Sequence, residues 1–238
     1  PANKSFTLTD CHTDDNNGGE TRTMGSVKHE YANSQSGRGV VVKGNFTLYN
    51  GGITTNNCST NYPPERLYSG AGVYVDGGGS FTMYGGKVAE NIAMNGAGVY
   101  VNKDGSAAMY GGKITGNKVG EGYGAGVYVG GGTFDMYGGS ISGNNQLGWN
   151  YNGDGGGVYI NSGSFNLHDG TITGNNGYWG GGVNLYNGAF NMEGGKISNN
   201  TAGRNGTGGG VYVYNGTFTM TGGEISGNRS NGSGAGVI

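Results

Sequence analysis

The side chains of this 238-residue chain that could do acid–base, nucleophilic or metal chemistry are 15 aspartates and glutamates, 3 histidines and 2 cysteines. Hydrolysis of a glycosidic bond needs a pair of carboxylates facing one groove. Lyase cleavage of a polysaccharide needs an acidic calcium cluster and a basic residue as proton acceptor. Asp10, Asp14, Asp15 and Glu20 cluster near the N-terminus and would suit a cation such as calcium; no other cofactor is suggested. Asp76, Asp104, Asp135 and Asp169 are scattered, as are His12, His29 and His168. Cys11 and Cys58 permit one disulfide, and neither a C-x-x-C pair nor a zinc spacing occurs. Which of these groups converge depends on the elements that carry them.

The formal net charge is −2, with no basic stripe of the kind a phosphate backbone requires, so nucleic acid is not an expected partner. No apolar run approaches the roughly 18 residues of a spanning helix, so no membrane insertion is expected. Glycine is the anomaly, at 58 residues against 3 prolines. Without a period that composition would indicate a low-complexity segment; with one it indicates tight turns at fixed places.

A period exists. The segment GxGV recurs with its first glycine at Gly37, Gly70, Gly96, Gly124, Gly155, Gly180, Gly208 and Gly234, at spacings of 25 to 33 residues. One unit reads GxGVYV, a short link, FxMxGGxI, then xxN and a variable loop. Alternation marks strands. Val73 and Val75 point inward on the first, Phe81 and Met83 on the second, and Val88 on a very short third; the same positions recur along the chain. Three short strands per coil define an all-β fold, a right-handed parallel β-helix of about seven coils, whereas a propeller blade needs four longer strands in about 40 residues. The boundaries are 1–36, a partial coil with an irregular insertion, and 37–238, the repeat coils of the same single domain. The opening PANKSFTLTD reads as the middle of a repeat and the closing GAGVI as the start of another, so the chain is expected to belong to a longer one.

One asparagine falls at the same place in each coil: Asn16, Asn56, Asn91, Asn117, Asn144, Asn175, Asn200 and Asn228. Stacked about 4.8 Å apart, these amides can bond one another as a structural ladder, satisfying polar groups that would otherwise cost about 1–3 kcal/mol each. Ala107 occupies the phenylalanine row and is its weak rung. Phe81 or Phe134 should lean into the gap, or a small void should remain.

Register then sorts the chemistry. Asp135 has Ala108 and Asn166 beside it, and Asp169 has Gly138 and Gly194. Asp76 and Asp104 lie close on adjacent coils as turn residues. His168 takes a place that other coils fill with Tyr84, Tyr110 or Tyr137, a ladder substitution rather than a catalytic base. No catalytic set and no metal site is therefore expected, and the chain is read as a non-enzyme. Cys11 and Cys58 fall at different distances from their phenylalanine positions, which places them at different corners.

Aromatic residues offer a binding surface. One outward row is Tyr74, Tyr100, Tyr128, Tyr159 and Tyr212; another is Tyr49, Tyr84, Tyr110 and Tyr137. Both suit sheet-stabilising stacks, or a platform for sugar rings. The loops 145–154 and 176–179 carry Trp149, Tyr151, Tyr178 and Trp179 and leave from one corner on consecutive coils, with Tyr123 from the preceding loop beside them. Aromatics gathered on loops over a rigid scaffold suggest recognition. The candidate ligand-binding residues are thus Trp149, Tyr151, Tyr178, Trp179, Tyr123, Tyr128 and Tyr159. An ice-binding surface is excluded, because the outward row Thr47, Thr82, Ala108, Asp135, Asn166, Asn191, Thr219 is too mixed.

The segments GGGVYI (155–160), GTFTMTGGEISGN (216–228) and GAGVYVGGGTFDMYGGSISGN (124–144) resemble the Gly-rich β-helix repeats of large, adhesin-like bacterial surface proteins of the gut Firmicutes type. More distantly they are similar to polymorphic outer-membrane-protein repeats, which carry FxxN where this chain has IxxN or VxxN. The resemblance runs from Gly37 to Ile238. It implies a secreted or cell-surface protein with an adhesive or scaffolding role and a glycan or host-surface ligand as partner. The alternatives are a polysaccharide lyase or glycoside hydrolase and an inert structural spacer.

Overall fold

The computed structural model describes residues 5–8, 26–27, 38–58, 69–120, 122–147, 153–203 and 205–238. All regular structure among them is strand, stacked in parallel as a β-solenoid. In a typical coil the V-Y-V strand Val99–Val101 buries both valines and leaves Tyr100 half-buried. The next strand, Ser106–Met109, buries Ala107 and Met109. Lys113–Thr115 turns Ile114 inward, and Lys118–Val119 turns Val119 inward. Side chains alternate across a strand, so each coil contributes one layer to a column of valine, phenylalanine, methionine and isoleucine.

The coils pair in strict register. Val99 lies beside Val73 on one side and Val127 on the other, and Ile114 lies between Val88 and Ile141. The V-Y-V and F-x-M strands share one 13-stranded sheet, the short isoleucine strands form an 8-stranded sheet, and a 6-stranded sheet closes the third side. In two coils the first pair fuses into single strands, Val127–Met136 and Val158–Leu167, with register shifts around Gly130 where they pair. The expectation of three short strands per coil is corrected in one respect. The third sheet is built from two-residue strands directly after the asparagine, such as Lys118–Val119 and Thr201–Ala202, in what reads as variable loop. Two residues are too few for alternation to show in a sequence. These strands enclose a second, smaller core of Cys58, Ala71, Ala93, Ala97, Val119 and Ala125.

The asparagine row separates the two cores and is hydrogen-bonded along the stack. Asn144 Nδ2 donates to Asn175 Oδ1 (2.9 Å) and to the Ile114 carbonyl (3.0 Å). Its Oδ1 accepts from both the backbone N–H and Nδ2 of Asn117, each at 3.0 Å. The same pattern links Asn91 to Asn117 and Asn175 through Asn200 to Asn228. Asn16 lies outside the described residues. This row also explains the second glycine of GxGV. A Cβ on Gly126 would sit 2.5 Å from the Gly157 carbonyl oxygen and 2.9 Å from Asn144 Nδ2.

Of the 1–36 segment, strands Ser5–Leu8 and Ser26–Val27 are described, and Phe6 and Leu8 align with Phe46 and Leu48. The acidic cluster, His12, His29 and Cys11 lie outside the described residues. Cys58 is a free, fully buried thiol. Burial pushes its pKa up to about 11, with Arg38 pulling the other way. Ala107 divides the phenylalanines into two runs of ring contacts, Phe46–Phe81 (5.7 Å) and Phe134–Phe165–Phe190–Phe218, stacked except for the edge-on Phe165–Phe190 pair. Among the described residues no ring contact joins Phe81 to Phe134.

Candidate functional site

Each coil re-enters its first strand through the GxGV glycine, and at Tyr123 and Trp179 the residue just before that glycine is folded back over the tyrosine row. The glycine makes this approach feasible. Gly124, Gly155 and Gly180 take φ of +64°, +65° and +66°, and at Gly155 a Cβ would meet Tyr159 Cβ at 2.9 Å. A left-handed backbone in near-contact with the next side chain excludes other residues.

Along the row itself the rings stack face to face: Tyr74–Tyr100 at 5.1 Å, Tyr100–Tyr128 at 4.7 Å and Tyr128–Tyr159 at 5.3 Å. Arg38 caps one end, its guanidinium carbon 4.1 Å from the Tyr74 centroid. The row then breaks at Asn184, which stands in register between Tyr159 and Tyr212, while Tyr186 takes up the stack, 6.2 Å from Tyr159 and 5.0 Å from Tyr214.

The residues preceding the glycines overhang this break. Tyr123 stacks on Tyr159, one coil on, at 4.7 Å. Trp179 stacks on Tyr212, again one coil on, at 5.7 Å, with Tyr178 tilted against it at 5.2 Å. Asp154 is the residue between these two in the same row; its carboxyl accepts a hydrogen bond from the Trp179 backbone, and Asn184 Nδ2 donates to the Trp179 carbonyl. Its charge bears on Tyr123, Tyr159 and Tyr212 together and helps raise all three phenol pKa values. The result is a carboxylate and a carboxamide between two aromatic walls.

Both groups are sealed in. Asp154 is 7 % exposed and Asn184 1 %. Asn184 Nδ2 donates to the Trp179 carbonyl at 3.3 Å, while Asn184 Oδ1 and Asp154 Oδ1 have no hydrogen-bond partner. A buried acceptor without a donor costs about 1–3 kcal/mol, and this corner carries both of them. Desolvation drives the Asp154 carboxyl up to about 7, opposed by a hydrogen bond from the Trp179 backbone.

A stability prediction follows from the sign of that shift. The folded pKa lies above the ordinary 3.8, so between pH 3.8 and about 7 the native state binds more protons than the unfolded one. Stability from this group is therefore fully present below pH 3.8 and lost as pH rises through 7. Asp154→Asn removes the penalty and should stabilise the protein at pH 8 by something on the order of 2–4 kcal/mol, with little effect at pH 4. Denaturant titrations of both proteins at the two pH values test this; equal differences at both would mean that Asp154 ionises freely.

Five of the seven ligand-binding candidates, Tyr123, Tyr128, Tyr159, Tyr178 and Trp179, thus lie along this row and its overhang; Trp149 and Tyr151 lie outside the described residues. The expectation that the tyrosine row faces out fails in its middle, where Tyr128 is buried between Tyr100 and Tyr159, and Tyr159 is buried beneath Tyr123. Burial holds both phenols far above their usual pKa. Sequence reasoning missed Asp154, Asn184 and Tyr212 as parts of one site. The signal available was the pair of departures from the repeat, an acid before a glycine and an asparagine in the V-Y-V strand.

The second tyrosine row is exposed, but its faces are occupied. Tyr49, Tyr84, Tyr110 and Tyr137 stack at 4.8–5.1 Å, and His168 continues the stack 4.4 Å from Tyr137. Stacked rings present edges and hydroxyls to solvent, so this row is no flat platform for sugar faces. His168 Nδ1 lies 2.8 Å from Glu193 Oε2 and its Nε2 3.7 Å from Asp135. Asp76 Oδ1 accepts from Gly77 N (3.0 Å) and Asn102 Nδ2 (3.3 Å), so Asp76 closes its own turn. Among the described residues no group of three or more His, Cys, Asp or Glu is placed to hold a metal ion, and no helix is long and apolar enough to cross a membrane.

Fold and site together define a parallel β-solenoid carrying an aromatic-walled polar site at one corner. Comparison of the chain with protein-family models, curated proteins and solved structures returned no match.

Proposed function

We propose that this chain is a non-enzymatic, extracellular or bacterial cell-surface domain that binds a glycan through the Tyr123–Trp179 corner, in keeping with its resemblance to adhesin-like repeats. The observation that carries the reading is the pair of buried, unpartnered oxygens, Asp154 Oδ1 and Asn184 Oδ1, between aromatic walls. Sites for small polar ligands combine apolar walls with a few convergent polar groups, and acceptors without donors are completed by a ligand that donates. Sugar rings have an apolar face for a tryptophan and hydroxyls for such acceptors. Trp179, 38 % exposed, is the most accessible of the aromatic walls.

Incubation of the protein with soluble and insoluble polysaccharides, mucin included, tests this by following its depletion from solution together with release of reducing or unsaturated ends. Depletion without products is expected. Trp179→Ala should reduce binding at least about tenfold, the effect of a central aromatic anchor, with the unfolding midpoint nearly unchanged. Products would favour the lyase or hydrolase alternative, and silence in both assays the spacer.

A further inference from the structure

We infer that the Asp154–Asn184 site recognises a protonated primary amine, which on a glycan means an unacetylated amino sugar. This rests on the glycan-binding reading above and narrows it to one ligand chemistry.

The unpartnered atoms at the site are Asp154 Oδ1 and Asn184 Oδ1, and both are acceptors once the carboxyl is ionised. Asn184 has already committed an N–H to the Trp179 carbonyl, so its oxygen is what remains to offer. A neutral hydroxyl brings one proton and leaves the carboxylate charge uncompensated. An ammonium brings three donors and a positive charge, and bonds to an ionised acceptor are about twice as strong as neutral ones. An acetylated amine has lost that charge and all but one donor.

The surroundings point the same way. Among the described residues no lysine or arginine forms a salt bridge with Asp154. The walls are the Tyr123–Tyr159 and Trp179–Tyr212 pairs, whose rings also contact Tyr128, Tyr186 and Tyr178, and a desolvated aromatic ring attracts a cation more strongly than an exposed one. The same tyrosine row already holds one cation of this chain, Arg38 over Tyr74. A buried ionised carboxylate without a cation lowers stability; below about pH 7 a proton removes that penalty, and above it an ammonium would do so. Both oxygens are closed to solvent, so capture requires a wall to yield, and the exposed Trp179 is the wall able to do so.

The test uses the whole chain and three oligosaccharides of equal length, built from glucosamine, N-acetylglucosamine and glucose, with binding measured by calorimetry for wild type and Asp154→Asn. Butylammonium is added in a parallel thermal-shift assay. The glucosamine oligomer should bind wild type at least about tenfold tighter than the other two, and Asp154→Asn should bring all three within about twofold of one another. Butylammonium should raise the melting temperature of wild type and not of the variant. Equal binding of all three by wild type, or a preference that survives in Asp154→Asn, would overturn the amine inference and leave glycan binding standing. If no glycan binds while butylammonium still acts through Asp154, the amine site stands and the glycan reading falls.

Discussion

Replacing Asn144 by alanine should destabilise the solenoid by about 4 kcal/mol, a large effect for one uncharged side chain. Asn144 is fully buried at mid-stack and takes part in bonds with three other residues. Truncation removes the acceptor of the Asn117 backbone N–H and of Asn117 Nδ2, and strips the Ile114 carbonyl of a donor. Water cannot replace them between two packed cores, so each orphaned group retains much of its desolvation penalty. Because each coil contacts only its neighbours, the loss should weaken the two adjoining interfaces and leave the end coils unchanged. Denaturant midpoints and amide exchange of the coils around Asn117 and Asn175 check this; an unchanged midpoint would remove the ladder from any account of stability.

The second large effect is expected from the smallest change, Gly126→Ala. The new methyl would lie 2.5 Å from the Gly157 carbonyl oxygen and 2.9 Å from both Asn144 Nδ2 and Ile141 Cγ2. Those atoms belong to the next coil's backbone, the polar ladder and the apolar column, so relief in one direction disturbs another. Overpacking of a well-packed core costs about 1–3 kcal/mol, and this site should reach the upper end or exceed it. Gly120→Ala is the control. Nothing lies within 4 Å of the place its methyl would take, and its φ is not left-handed. Lowered unfolded-chain entropy should therefore leave stability equal or higher by about 0.4–1 kcal/mol. Equal losses at the two glycines would mean that general glycine flexibility, rather than close approach, dictates GxGV.

Much of the architecture is legible in the sequence. Valine and tyrosine alternating as V-Y-V, phenylalanine and methionine two apart, and an asparagine at constant distance each report a local rule that every coil repeats. Register follows, since a one-residue slip would turn every valine outward. Ala107 was legible as a gap and His168 as a substitute in a tyrosine stack, because a repeat makes each departure visible. The third sheet was not legible, because Lys118–Val119 is shorter than one period of its own pattern.

The amino-acid sequence by itself determined the coil, its apolar column and its polar ladder, because those depend on neighbours whose spacing the repeat keeps constant. The tertiary structure alone decided what the non-repeating residues do. Asp154 reads as one more polar loop residue and Asn184 as one more substitution in a strand. Only the one-coil offset between the corner row and the tyrosine row brings that acid and that amide to the Trp179 backbone, among Tyr159 and Trp179, and buries both. Burial is a property of the surroundings in space, and the stretch of chain between Asp154 and Asn184 carries no local record of it.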